Sequence, residues 1–192
     1  MLRLKVAGIS SLTDARYCAG MGVEFLSIVF DGYGKGSLSP EAFAGIRPWI
    51  EGVAWLGEYT GSDTEILQSI ASEYQLDTWI CSSIPSDSDF NPEIKIIRNT
   101  ADFDELAKST LPFQLEGSFS ASDSRFQKLK ELSHNKAIFL ADPVPAEDAI
   151  QLHQEIPNLV FSLRSSGEER PGWMDLGALQ DYLEAVEDYL RD

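Results

Sequence analysis

Cysteine and histidine are scarce in this chain: there are two of each, Cys18 and Cys81, His134 and His153. Two isolated cysteines make neither a disulfide framework nor a metal-ligand spacing, which implies a reduced, cytoplasmic protein. With so few thiol and imidazole ligands a zinc cluster is excluded. Basic charge is short as well: 15 Lys plus Arg stand against 31 Asp plus Glu, for a net charge of −16. No run of Lys or Arg offsets that deficit, so the chain would repel a phosphate backbone, and nucleic acid is excluded as a bulk partner. Long apolar runs are missing too. Stretches such as Phe25–Phe30 are strand-sized, far below the ~20 residues that cross a bilayer, so no membrane partner is expected. The opening Met1-Leu2-Arg3-Leu4-Lys5 alternates apolar and charged residues and lacks the apolar block of a signal peptide.

What remains is a chain of 192 residues with 43% hydrophobic content, enough for one well-buried core. Short β-rich runs alternate with helical spacing from end to end. The strand candidates are Leu2–Ala7, Phe25–Phe30, Val53–Tyr59, Thr78–Cys81, Ile94–Arg98, Phe113–Glu116, Ala137–Ala141 and Leu159–Leu163. Helical patterns follow seven of them: Leu12–Met21, a segment opened by Ser39-Pro40-Glu41, Asp63–Tyr74, Asp102–Ser109, Ser122–Leu132, Pro145–Glu155 and Leu176–Leu190. The exception is the fourth unit, where Cys81–Pro92 is rich in Ser, Asp and Pro and reads as a loop. Strict β–α alternation means parallel strands and right-handed crossovers. Eight units predict closure into one compact (β/α)8 TIM barrel over residues 1–192, with the fourth βα unit degenerate. A doubly wound open sheet is the competitor, but Ala7-Gly8-Ile9-Ser10-Ser11 lacks the glycine spacing of a dinucleotide fingerprint.

Barrels of this kind bind ligands at the C-terminal ends of their strands. That rule turns strand ends into candidates: Ala7, Asp31, Glu58, Cys81, Arg98, Glu116, Asp142 and Arg164-Ser165-Ser166-Gly167. Alternation on strand one puts Leu2, Leu4 and Val6 against the helices and Lys5 and Ala7 inside the barrel. A lysine there needs a carboxylate, and Glu58 and Glu116 are the candidates. Ser165-Ser166-Gly167 after the last strand, with Arg164 beside it, suits an anion. The lone histidines carry no site; His153 reads as a solvated helix residue, and Cys18 reads as packing.

Three stretches, in order, resemble one family. Leu4-Lys5-Val6-Ala7-Gly8-Ile9-Ser10 with Asp14-Ala15 and Gly22-Val23-Glu24-Phe25-Leu26, then Phe30 through Ser37-Leu38-Ser39-Pro40-Glu41, then Ser165-Ser166-Gly167-Glu168-Glu169-Arg170-Pro171-Gly172 are similar to phosphoribosylanthranilate isomerase, the small (β/α)8 barrel of tryptophan biosynthesis. The resemblance implies an Amadori rearrangement of a phosphoribosyl-anthranilate, with no cofactor and no metal. The family uses an aspartate ending strand six as general acid and a cysteine ending strand one as general base. An arginine in the second loop grips the carboxylate, and a glycine pair after strand seven completes the phosphate cradle.

Position by position, this chain departs from that set. The base position is Ala7, and the arginine position is Gly36, with Lys35 adjacent. The acid position is Glu116; the glycine pair is Asp142-Pro143, a negative charge and an imino acid without an N–H. Loss of a general base alone removes ~10²–10⁴-fold in rate. The expectation is therefore an isomerase-like barrel without the standard activity, binding a small, phosphorylated molecule at its mouth through Lys35, Arg164, Ser165, Ser166 and Gly167. The alternative is an active isomerase with Glu116 as acid and Asp31 or Cys81 as relocated base. A third reading takes Asp31, Glu58, Glu116 and Asp142 as ligands of a divalent cation, with no local metal motif behind it. Oligomeric state is not encoded in any motif.

Overall fold

The computed structural model describes residues 2–81, 95–100, 103–108, 112–117, 119, 124–134, 136–165, 168–170, 173–174 and 177–191. Eight parallel strands close into a barrel in sequence order. They are β1 (Arg3–Ala7), β2 (Phe25–Phe30), β3 (Ala54–Tyr59), β4 (Thr78–Cys81), β5 (Lys95–Thr100), β6 (Phe113–Leu115), β7 (Ile138–Leu140) and β8 (Leu159–Arg164). Closure is made by β1 against β8, with Lys5 opposite Ser162 and Ala7 opposite Arg164. An antiparallel ribbon of β9 (Glu168–Arg170) and β10 (Trp173–Met174) follows the last barrel strand, an element that the sequence reading did not separate from its loop.

Helices α1 (Leu12–Gly20), α2 (Pro40–Ile46), α3 (Thr64–Tyr74), α4 (Phe103–Lys108), α5 (Phe126–Ser133), α6 (Ala146–Glu155) and α7 (Gly177–Arg191) surround the sheet. Their starts follow capping chemistry. Ser39 accepts from the Ala42 N–H at 3.2 Å ahead of Pro40, and Asp63 accepts from Glu65 and Ile66. Helix α1 is capped by Ser11, which accepts from the Asp14 N–H at 3.1 Å. Of the predicted loop of the fourth unit, Cys81–Pro92, the first residue ends β4 and the others lie outside the described residues. None of the described helices is long and apolar enough to cross a membrane.

The period-2 alternation of the strands separates two cores. Leu2, Leu4, Val6, Leu26, Ile28, Phe30, Trp79, Leu140 and Phe161 face outward and pack with the helices. Gly57 on β3 leaves the space occupied by the Trp79 ring on β4; a Cβ there would collide with it. Inside, Leu56, Ile80, Ile97, Phe139 and Val160 form a small apolar plug, with Phe25 and Ala137 against it. His153 on α6 is half-buried, and its Nδ1 has no hydrogen-bond partner among the described residues. The solvated reading of that residue is thus corrected: burial pushes its pKa below the usual imidazole range.

Candidate functional site at the barrel mouth

Two residues further up the same inward faces, the interior turns polar. Lys5 on β1 is 1% exposed, and its Nζ donates to Glu58 Oε1 of β3 at 2.7 Å and to Gln114 Oε1 of β6 at 2.5 Å. Ser27 on β2 donates its hydroxyl to the same Glu58 oxygen at 2.5 Å. Burying an ammonium is costly, and the carboxylate and amide offset much of that cost. Burial pushes the Lys5 pKa below the usual lysine range; Glu58 opposes the shift, and Arg164 adds to it. Of the two candidate partners, Glu58 takes the lysine and Glu116 does not.

Above this floor lies a cavity of about 580 Å³, within the size range of small-molecule sites. Strand one lines it with Lys5 and Ala7, strand three with Glu58, and strand six with Gln114 followed by Glu116 and Gly117. Ala141 and Asp142 after β7, with Leu163 and Arg164 of β8, also line it. Ala7 is 3% exposed and presents a methyl group to this space.

The sequence candidates divide into those on the wall and those elsewhere. Glu116, Asp142 and Arg164 line the cavity with exposed side chains. Asp142 Oδ2 accepts the Gly117 N–H at 2.8 Å. Asp31 is exposed and spends Oδ1 on the N–H groups of Tyr33 (3.0 Å) and Lys35 (2.8 Å), closing a turn in its own loop. Lys35 is exposed in that loop, and neither residue is among the described residues of the wall. Ser165 donates its N–H to Ala7 O at 2.9 Å and its hydroxyl to Asp14 Oδ1 at 2.8 Å. Ser166 and Gly167 lie outside the described residues. Cys81 faces the helices, and burial pushes its thiol up to about 12, so it offers no thiolate to the mouth.

The second loop folds back on its strand. Gly36 bridges Phe30 in antiparallel sense, and a Cβ at position 36 would come 2.7 Å from the Phe30 ring. Any side chain at this point, an arginine included, requires the loop or the Phe30 ring to move. Among the described residues, no group of three His, Cys, Asp or Glu side chains is placed to hold a metal ion. Ser27 and Gln114 escaped the sequence reading, since neither carries charge. The available signal was position: Ser27 lies between inward Phe25 and Val29, and Gln114 two residues before Glu116.

Known structures share this architecture. A phosphoribosylanthranilate isomerase solved with reduced 1-(o-carboxyphenylamino)-1-deoxyribulose 5-phosphate matches with a TM-score of 0.74 at 18% identity, over 98% of this chain and 100% of that one. The isomerase of Thermotoga maritima gives 0.73 at 17% identity, over 98% and 100% of the two chains. That of Thermus thermophilus gives 0.69 at 20% identity, over 98% of each. The chain has the fold of the phosphoribosylanthranilate isomerases. No protein-family model matches the sequence, and no curated protein matches it. The likeness is one of backbone path, over 98% of this chain.

Proposed function

We propose that this chain is a divergent phosphoribosylanthranilate-isomerase-like barrel that does not perform the Amadori rearrangement and binds a small molecule at its mouth. One observation carries the reading: the residue at the base position of the resemblance is Ala7, inward-facing on the cavity wall, and a methyl group accepts no proton. Two further features support it. Gly36 has no room for the side chain that would grip a carboxylate, and both Ser165 donors are used within the protein. Binding energy remote from the reacting bond supports the chemical step, so the loss of such contacts compounds the loss of a base. The test is expression of the chain in a tryptophan auxotroph lacking its isomerase. No rescue is expected; robust growth without tryptophan rejects the proposal.

A second reading is favoured by the position of Glu116 on the cavity wall. In it, Glu116 is the general acid of an active isomerase, and the proton acceptor is relocated. That reading requires measurable turnover by the purified protein and its collapse in Glu116→Gln.

A further inference from the structure

The floor of the mouth holds a nucleophile, Lys5. It lines the cavity and is 1% exposed, so a small molecule meets it through the cavity and not from the outer surface. Its Nζ makes two hydrogen bonds with described residues, to Glu58 Oε1 at 2.7 Å and to Gln114 Oε1 at 2.5 Å. A lysine ammonium carries three N–H groups, and the third goes to neither. Burial favours the free amine over the ammonium, and the positive charge of Arg164 acts in the same sense. Glu58 is the counter-charge, and the same carboxylate stands within hydrogen-bond reach to take the proton.

A second observation says what accompanies the reacting group. Arg164 lines the same cavity and makes no hydrogen bond or ion pair with a described residue. It stands on the strand beside β1, opposite Ala7, two residues above the position that faces Lys5. That offset is about 7 Å along the strand, so the nucleophile and the cation serve neighbouring atoms of one small molecule. An unpaired guanidinium suits a carboxylate, which it binds with two parallel N–H donors. We propose that Lys5 forms an imine with the keto group of a small 2-oxo acid whose carboxylate rests on Arg164. The inference rests on the reading of the mouth as a small-molecule site. In the step, the ammonium passes a proton to Glu58, and Nζ bonds to the carbonyl carbon as the C=O π bond breaks. The alkoxide takes a second proton from nitrogen, giving a neutral carbinolamine. Glu58 then returns its proton to the new hydroxyl, the C–O bond breaks, and water leaves as the nitrogen lone pair closes the C=N bond. One ammonium and one ketone become one protonated imine and one water, with nothing oxidised or reduced.

The test is reductive trapping of the full chain with pyruvate and sodium cyanoborohydride near neutral pH, with peptide mass mapping to locate the addition. Lys5 is expected to be modified about tenfold faster than the exposed Lys35 and Lys128. Acetaldehyde, a carbonyl compound without a carboxylate, is the comparison. Arg164→Gln should slow trapping of pyruvate about tenfold more than trapping of acetaldehyde. The double variant Lys5→Met/Glu58→Gln removes the nucleophile without stranding its partner charge, and the fast addition disappears in it. Addition spread evenly over the lysines, fast addition that survives in the double variant, or an equal effect of Arg164→Gln on both carbonyl compounds overturns the inference. Calorimetric titration with pyruvate, without the reductant, separates the two readings. Binding without addition at Lys5 overturns the inference and leaves the mouth a small-molecule site. Neither binding nor addition overturns the inference and the underlying reading together.

Discussion

Two layers of the barrel interior share the same strands and differ in everything else. In the lower layer Leu56, Ile80, Ile97, Phe139 and Val160 close the cylinder with apolar contacts. In the upper layer, two residues along, Glu58 follows Leu56, and Lys5, Ser27 and Gln114 complete a hydrogen-bonded floor, while the buried Ser162 hydroxyl, two residues after Val160, has no partner among the described residues. The lower layer is held by packing, which is non-directional and roughly proportional to buried area. The upper layer is held by directed bonds between groups that are expensive to leave unpaired. Division of labour within one sheet follows: one layer closes the barrel, and the other shapes a cavity.

The comparison breaks first at Lys5. Lys5→Met strands the Glu58 carboxylate in a nearly buried site and is expected to cost about 3–5 kcal/mol by urea unfolding, with the double variant Lys5→Met/Glu58→Gln recovering most of it. No such rescue exists in the lower layer. Leu56→Ala is expected to cost about 2–5 kcal/mol through lost burial and the cavity left behind, and a polar partner change elsewhere will not restore it. Smaller effects come from the rim. Asp14 is fully buried and receives the Ser10 N–H at 3.1 Å, the Ser10 hydroxyl at 2.9 Å and the Ser165 hydroxyl at 2.8 Å. Ser165→Ala removes one hydrogen bond to that charge, worth about 1.5–3 kcal/mol. Gly36→Ala forces a methyl group to within 2.7 Å of the Phe30 ring, at about 1–3 kcal/mol by the overpacking rule.

A separate effect, confined to alkaline pH, is a titration on the outer face. Burial pushes the Cys18 and Cys81 thiols up to about 12 from the ordinary 9.0. Above the ordinary thiol range the unfolded chain ionises these groups while the folded chain keeps them protonated. Their stabilisation is therefore complete below pH 9.0 and is lost as pH climbs towards about 12. Lys5 acts with the opposite sign in alkali, because its folded pKa is lowered. The difference between the parent and a Cys18→Ala/Cys81→Ala variant isolates the thiols: urea midpoints should fall less steeply with rising pH in the variant.

Much of the fold could be read from the chain because its signals are local. Thr78–Cys81 and Phe25–Phe30 have the bounds that their β-rich runs predict, and Ser39 caps α2 one residue ahead of its proline. The inward set of strand one followed from alternation alone. The site was less readable. Asp31 stands at a strand end, where a wall residue is expected, yet its carboxylate closes a turn in its own loop. Ser165 sits where an anion loop is expected, yet its hydroxyl goes to a carboxylate 151 residues earlier. Both polar groups found nearer acceptors or donors than a ligand, and no spacing in the chain reports that competition.

The sequence by itself determined an eight-unit alternation, an apolar outer face, and a lysine and an alanine pointing into the cylinder, because strand periodicity and capping depend on neighbours a few residues away. Only the tertiary structure decided that Glu58 rather than Glu116 meets Lys5, that Gln114 and Ser27 complete the floor, and that Gly36 lies against Phe30. Those choices turn on the register with which eight strands close around an axis, which brings together side chains up to 109 residues apart, and no local pattern encodes a distance of that kind.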